Sequence, residues 1–394
     1  MEARANPAGE FAQSLSGAGD RARATESAMP TPHAEVLTAA PAGGREPALD
    51  VARGLAVLAM IYMHLVPTVG RASTLERVAT SLARTLEGKS AVLFFVLAGI
   101  SWALQARRSQ GSQRWSSYVA RRSLSIGLVG VALFLSVWST EVLVPFALAM
   151  PIAFALIARG RKALSWTIVA MFVAVPIATH LWGDYAWTDV REDGTYLAES
   201  EFGWVTARFY LFDGNYPLLP WLAFALIGAL CTPLLDNARR ARIAFVGAAA
   251  FAVAAEFYAR WARRTFDAEE ELGMLWRAEW VPTSLPFVAQ GVCAALAIIA
   301  GLLVLERLSP RAFAFTSWLG ALGRASLTHY LLHVFVVFLP LRARYPDEDW
   351  RASTGLAAFA VYVVVAIPLS LLWFRRFRRG PLEELWSRAS GSPR

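Results

Sequence analysis

An arginine and a histidine with ten residues between them, and an aspartate just upstream, are the first residues in this chain whose types and spacing suit chemistry. The segment reads Leu49-Asp50-Val51-Ala52-Arg53-Gly54-Leu55 and continues through an apolar stretch to Ile61-Tyr62-Met63-His64. At about 100° per residue, Arg53 and His64 fall roughly 20° apart on one helix face, and the rise separates them by roughly 16 Å. Asp50 stands at the i, i+3 spacing of an ion pair with Arg53. The stripe thus offers a guanidinium that can hold phosphate oxygens and an imidazole that can move a proton or carry an acyl group. Ionisable groups in an apolar segment are costly and mark cavities or substrate paths. The plainer alternatives are an interfacial Asp50–Arg53 pair that snorkels to headgroups and a His64 that hydrogen-bonds a neighbouring helix.

The helix carrying this stripe is one of a series. Apolar runs close to the twenty residues that cross roughly 30 Å of hydrocarbon occupy 49–69, 89–106, 121–139, 141–159, 163–182, 216–235, 241–260, 283–305, 318–340 and 354–374. The division within 121–159 rests on the polar break Ser139-Thr140-Glu141, because the stretch is too long for one span and long enough for two. The fold class expected is all-α, a polytopic integral membrane protein of about ten transmembrane helices. Arg107, Arg108, Arg114, Arg121 and Arg122 share one side of that count with Arg159, Arg161 and Lys162, with Arg239, Arg240 and Arg242, and with Arg375, Arg376, Arg378 and Arg379. The opposite loops mix arginine with acids, so the positive-inside rule puts both termini in the cytoplasm. Residues 1–48, rich in Ala, Gly, Ser and Pro, read as a disordered cytoplasmic tail without a signal-peptide core. Residues 49–374 form the membrane domain, and 375–394 a basic cytoplasmic tail.

Composition agrees. Of 394 residues 56% are hydrophobic and only 17% charged, against about a quarter charged in soluble domains. The net charge of +8 sits at helix ends rather than in an aromatic-interleaved stripe, which argues against nucleic acid as a partner. Cys231 and Cys293 both lie in apolar runs, so neither a disulfide nor a zinc site is implied. Lysine is confined to Lys89 and Lys162, the bias of a GC-rich bacterial genome, which would make the membrane the inner one. His329 and His333 have a metal-compatible spacing of four, but no carboxylate sits between them as in a zinc-binding HExxH helix and no third ligand is evident; no metal is expected. The long loop 183–215 combines Asp184, Asp189, Glu192 and Asp193 with Trp182, Tyr185, Trp187 and Tyr210. That mixture suits a sugar or an amine, and equally an interfacial aromatic belt.

Asp50-Val51-Ala52-Arg53-Gly54-Leu55-Ala56, with ten residues between Arg53 and His64, resembles the first-helix signature of transmembrane acyltransferases. It is similar to the bacterial glycan O-acyltransferases and to the catalytic domain of heparan-α-glucosaminide N-acetyltransferase with its YeiB-like bacterial relatives. A second segment, Gly323-Arg324-Ala325-Ser326-Leu327-Thr328-His329-Tyr330-Leu331-Leu332-His333, resembles the late helix of these families, where a serine, a tyrosine and a closing histidine recur. Ser326, Tyr330 and His333 share a helix face at i, i+4 and i+7. Counted from Trp318, His333 stands about 22 Å along its helix, close to the roughly 21 Å of His64, so the two histidines are expected at one depth. Asp213-Gly214-Asn215-Tyr216-Pro217-Leu218-Leu219-Pro220-Trp221 and Arg379-Gly380-Pro381-Leu382-Glu383-Glu384-Leu385-Trp386 resemble a helix start and the chain end of the YeiB-like group. The chain departs from the O-acyltransferases in having adjacent Arg121 and Arg122 where they carry arginines three apart. It departs from the heparan enzyme in having His64 where that family has asparagine.

The resemblance implies transfer of an acyl group from cytoplasmic acyl-CoA, acetyl-CoA in the simplest case, to an acceptor beyond the membrane. Arg53, with Arg121 and Arg122, would hold the donor's phosphates. His64 would be the base or the acyl carrier, His333 and Tyr330 would orient it or stabilise the oxyanion, and Asp50 and Ser326 would position their neighbours. The partners expected are membrane lipids and a glycan or glycolipid. The reading from another class is a transporter or flippase using intramembrane histidines as proton relays. Against it, the sequence shows no internal repeat and no pair of Gly/Pro-broken helices in matching positions.

Overall fold

The computed structural model describes residues 46–67, 73–108, 114–136, 141–181, 203–267, 271–281, 283–346 and 349–391. Residues 1–45 of the expected N-terminal tail, and 183–202 of the acidic aromatic loop, lie outside the described residues, while Pro47 and Ala48, expected in the tail, open the first helix. Those described form helices and connecting turns: α1 (Pro47–Leu65), α2 (Thr74–Leu86), α3 (Lys89–Arg108), α4 (Arg114–Ser136), α5 (Leu143–Ala158), α6 (Arg161–Leu181), α7 (Trp204–Arg208), α8 (Leu218–Leu230), α9 (Ala238–Thr265), α10 (Glu271–Trp276), α11 (Leu285–Leu308), α12 (Pro310–Ala314), α13 (Ser317–Arg324), α14 (Ser326–Leu332), α15 (Leu339–Arg344), α16 (Ala352–Arg376) and α17 (Pro381–Ala389). Two π-helical segments, Phe209–Asp213 and His333–Phe338, follow α7 and α14.

Seven membrane-crossing lengths are present among the described residues: Pro47–Leu65, Thr74–Arg108, Trp115–Ser136, Ala238–Thr265, Leu285–Leu308, Ser326–Arg344 and Ala352–Arg376. Leu143–Ala158 and Leu218–Leu234 are apolar but shorter. The polar break at 139–141 does separate two helices, α4 and α5.

Two elements depart from the simple count. Residues 74–86 form a strongly amphipathic helix, α2, opened by a capping box in which the Ser73 hydroxyl accepts from the Glu76 amide and the Glu76 carboxylate accepts from the Ser73 amide. The expected single helix 318–340 is divided: α13 ends at Arg324, Ala325 leaves helical geometry at φ −113° and ψ 32°, and α14 starts at Ser326. Arg324, Ser326 and Thr328 around this point suit a polar helix face as well as a break, so periodicity alone does not show it.

At the centre, α1 packs on α3, α11, α13, α14 and α16, while α3 packs on α5, α8 and α11. Without a hydrophobic drive between helices in lipid, small residues that let backbones approach set the crossings. A Cβ on Gly54 would overlap the carbonyl oxygen of Leu319, and one on Gly323 would overlap that of Asp50. Gly99 and Gly228 join α3 and α8 in the same reciprocal way, against Ala225 and Val96. Trp221, Phe95 and Phe224 fill the space around the second crossing and are fully buried.

The helix ends are tied at both faces. On the arginine-rich face, Arg107 pairs with Asp236 at 3.7 Å and Arg307 donates to the carbonyls of Leu234 and Leu235. On the other, Trp350 donates to the Leu65 carbonyl at 2.7 Å, Tyr62 to the Ala79 carbonyl at 3.1 Å, and Arg351 pairs with Glu76 at 3.1 Å. Both contacts to α1 lie beside His64.

The glycine crossings make a direct prediction. Gly54→Ala and Gly323→Ala should each lower the melting temperature in detergent sharply, because the added carbon meets backbone that no rotamer change can move; overpacking of this kind costs about 1–3 kcal/mol or more. Gly320→Ala, whose Cβ would sit 3.7 Å from Val51, should melt near the parent. Equal melting of all three would contradict the crossing.

Candidate active site

His64 and His333 meet. His64 Nδ1 lies 2.9 Å from His333 Nε2, the rings are nearly coplanar at 10°, and their centroids are 5.1 Å apart. The glycine crossing sets the register: His64 is ten residues, about 15 Å, beyond Gly54 on a continuous helix, and His333 is ten residues beyond Gly323 across the break at Ala325. The depth expected for His333 from a straight helix starting at Trp318 has a different basis, since that helix is broken at Ala325.

His333 is fully buried and its Nδ1 lies 3.3 Å from the His329 carbonyl. For two neutral imidazoles one proton assignment satisfies this chain. His333 Nδ1–H donates to the carbonyl and His333 Nε2 accepts from His64 Nδ1–H, which makes Nε2 the unprotonated nitrogen of the neutral His64 ring. The tautomers follow from the hydrogen-bond network. The π-helical turn beginning at His333 is a common device for re-aiming a side chain at a functional site.

His64 of the pair borders a narrow cavity of about 130 Å³, with His333 buried behind it. Met60, Met63 and His64 line it from α1, Ser326, Leu327 and Tyr330 from α14, and Phe94 and Phe95 from α3. Ile126 and Phe146 come from α4 and α5, Tyr216 from the turn before α8, and Trp386 from α17. Ser326 and Tyr330 thus share a cavity with His64, and the Tyr330 ring meets the His333 ring edge-on at 5.8 Å. The Tyr330 hydroxyl accepts from the Val142 amide at 3.4 Å. Beside it, Glu141 is buried and accepts from the Leu143 amide at 2.6 Å, the Val144 amide at 3.0 Å and the Tyr210 hydroxyl at 3.1 Å. A carboxylate needs such donors to be buried at all. A Cβ on Gly130 would crowd Glu141 Oε2 at 2.8 Å, so the glycine on α4 makes its room.

Toward the arginine-rich face, Arg53 donates to Asp50 at 2.7 Å and to the Ser101 hydroxyl at 2.6 Å, so a residue of α3 holds the guanidinium from the side opposite its own helix. Arg122 sits elsewhere: it donates to the Tyr118 hydroxyl at 2.9 Å, and its guanidinium lies 3.8 Å from the centre of the Trp386 ring. Arg121 is exposed on the same helix.

His329 faces away from this cavity. Its Nδ1 lies 2.7 Å from the Tyr362 hydroxyl and its Nε2 3.0 Å from the Ser370 hydroxyl, so both nitrogens bind α14 to α16. These residues line a separate lateral groove of about 690 Å³ that also takes in Leu332, Val336 and Val365. The i, i+4 histidines therefore diverge, and among the described residues no cluster of three His, Cys, Asp or Glu side chains converges.

Sequence reasoning did not single out Ser101, Tyr216, Glu141 as a site residue, or Trp386. Ser101 and Glu141 carried a usable signal, each a lone polar residue in or beside an apolar run. Trp386 closes a segment that resembles the end of the YeiB-like chains, but nothing along the chain tied it to the cavity.

Comparison with known families divides the chain at its middle. Residues 45–264, just over half, match a family model described as heparan-alpha-glucosaminide N-acetyltransferase, catalytic. Residues 228–391 match one described as a protein of unknown function, DUF418. His64 falls in the first match and His333 in the second. No curated protein matches the chain.

Because the rings share a hydrogen bond, their substitutions should not add. Melting of His64→Gln, His333→Gln and the double variant should show a coupling of roughly 0.5–3 kcal/mol, the range for groups in direct contact. Additive shifts would mean that the two rings are apart in the membrane.

Proposed function

Because the chain belongs to the heparan-α-glucosaminide N-acetyltransferase catalytic family, we propose that it is a multi-pass membrane acyltransferase using acyl-CoA, acetyl-CoA in the simplest case, as donor. The acceptor is a hydroxyl or amine of a glycan or glycolipid on the side opposite the arginine-rich face. The bacterial inner membrane, about ten spans and cytoplasmic termini complete the reading. The observation that carries it is the paired His64 and His333 at a cavity whose wall, α1, also bears Arg53.

His64 Nε2 takes the proton from the acceptor O–H or N–H as that atom attacks the thioester carbon. The carbonyl oxygen becomes an oxyanion beside Tyr330, a hydroxyl donor at the cavity wall. The C–S bond then breaks, and the proton held by His64 passes to the leaving thiolate, so free CoA departs and the imidazole is restored. His333 accepts the Nδ1 proton of His64 throughout and stabilises the transient imidazolium, as a fixed acceptor does for any general-base histidine. Arg53, steadied by Asp50 and Ser101, supplies charge for the donor's phosphates, for which a planar guanidinium is well suited.

Two outcomes test this reading. His64→Ala should reduce transfer from labelled acetyl-CoA by at least the roughly 10²–10⁴-fold typical of a general base, with expression and membrane insertion retained; full activity would remove His64 from the mechanism. Arg53→Lys should raise the KM for acetyl-CoA by roughly tenfold with kcat little changed, the pattern of lost uniform binding. A protein that binds no CoA species and transfers no label would be a transporter or scaffold instead.

A further inference from the structure

The short helix α17 carries no membrane-spanning pattern, yet it reaches the cavity. Glu384 is tied to Arg388 at 3.0 Å and Leu385 is 63% exposed, so the helix lies along the arginine-rich surface. Two of its side chains point inward. Glu383 Oε1 accepts from the amides of Leu327 at 2.6 Å and Thr328 at 3.0 Å, and Oε2 from the Thr328 hydroxyl at 2.7 Å. These amides are the donors that the break at Ala325 leaves without intrahelical partners, so Glu383 caps α14 from another part of the chain. Trp386 donates to the Ser125 hydroxyl at 2.7 Å and to the Arg122 carbonyl at 3.3 Å, and its indole closes the cavity between Ile126, Ser326 and Leu327.

The connection is shaped for this position. Pro381 opens α17 at its first turn, where its missing N–H is not needed. Gly380 is a required glycine, because a Cβ there would overlap the Glu383 carboxylate and stand 2.9 Å from the Ala325 side chain. The motif Gly380-Pro381-Leu382-Glu383-Glu384-Leu385-Trp386 is therefore a docking device and not a generic tail.

We propose that α17 is a gate on the arginine-rich side of the cavity, with Trp386 as its plug, Glu383 as its latch and Arg122 as the cation the plug covers. The inference rests on the acyltransferase reading in one respect: a donor arriving from that face reaches His64 only after Trp386 moves. Arg122 links the two events, since the guanidinium face now under the indole is a face that donor phosphates would compete for. Exchanging a cation–π contact for phosphate charge would release the plug when donor binds, and the empty enzyme would keep water and thiols from the histidines.

The test uses the full chain in vesicles of both orientations, with Cys231 and Cys293 replaced by alanine and Met60→Cys placed in the cavity wall next to His64. A charged, membrane-impermeant methanethiosulfonate reports access. Labelling should be slow in this parent. Adding Trp386→Ala or Glu383→Gln should accelerate it by roughly tenfold from the arginine-rich face alone, as a minor open state becomes well populated. Trp386→Phe, which keeps an aromatic plug, should stay slow. An unchanged rate in both opening variants overturns the gate, as does a rise from both faces alike, which reports general loosening. Acetyl transfer measured on the same vesicles separates the two ideas. Faster labelling without any transfer leaves the gate and overturns the enzyme assignment; transfer with unchanged labelling does the reverse.

Discussion

The contact between Gly54 on α1 and Gly323 on α13 sets the height at which the rest of the site assembles. Each glycine lies against a carbonyl of the other helix, a separation that any side chain would forbid. Ten residues along each chain from that point come the two histidines, so a backbone contact near one face determines a side-chain contact about 15 Å away. Asp50 and Arg53 flank the same crossing, which puts the cation on the stripe where the first helix has no freedom to shift.

This constraint has a consequence that the surrounding structure meets. The chain kinks at Ala325 just past the crossing and leaves backbone donors exposed at the start of α14. In hydrocarbon such groups need partners, since no water competes for them. Glu383 supplies them from the C-terminal helix, and the side chains that follow it on α17 meet Arg122 and the cavity. One break in one helix thus recruits a segment more than fifty residues later in the chain. His329, on the outer side of α14, hydrogen-bonds hydroxyls on α16 through both nitrogens. α14 is therefore held on the face away from the cavity while its other face presents Ser326 and Tyr330 to it.

The far end of α1 is held by different chemistry. The Leu65 carbonyl, one of the unsatisfied groups at a helix C-terminus, accepts from Trp350, and Tyr62 reaches the amphipathic helix α2. α2 is itself anchored by Glu76 to Arg351 and Ser353 at the start of α16. His64 sits between these ties and the glycine crossing, so its ring is positioned from both directions along its own helix.

Much of this was open to reading from the residues. Apolar length identified the all-helical, multi-pass class, although seven helices of crossing length stand among the described residues where about ten spans were expected. The stripe of Asp50, Arg53 and His64 followed from helical periodicity, which is local and independent of the fold. The two motif segments pointed to the family to which the chain belongs. The break at Ala325 was not legible, since the polar residues beside it suit a helix face equally well and the compensating Glu383 is remote in sequence. Nor were the roles of Ser101, Glu141 and Trp386, whose significance comes from what faces them across helices. The sequence by itself therefore determined the all-helical, multi-pass class and which face of α1 is polar, since both depend on neighbours along the chain. Only the tertiary structure decided that the stripe meets His333 and that Trp386 closes the cavity beneath it. Those contacts are set by where glycines allow two backbones to touch, a distance that no one-dimensional pattern encodes.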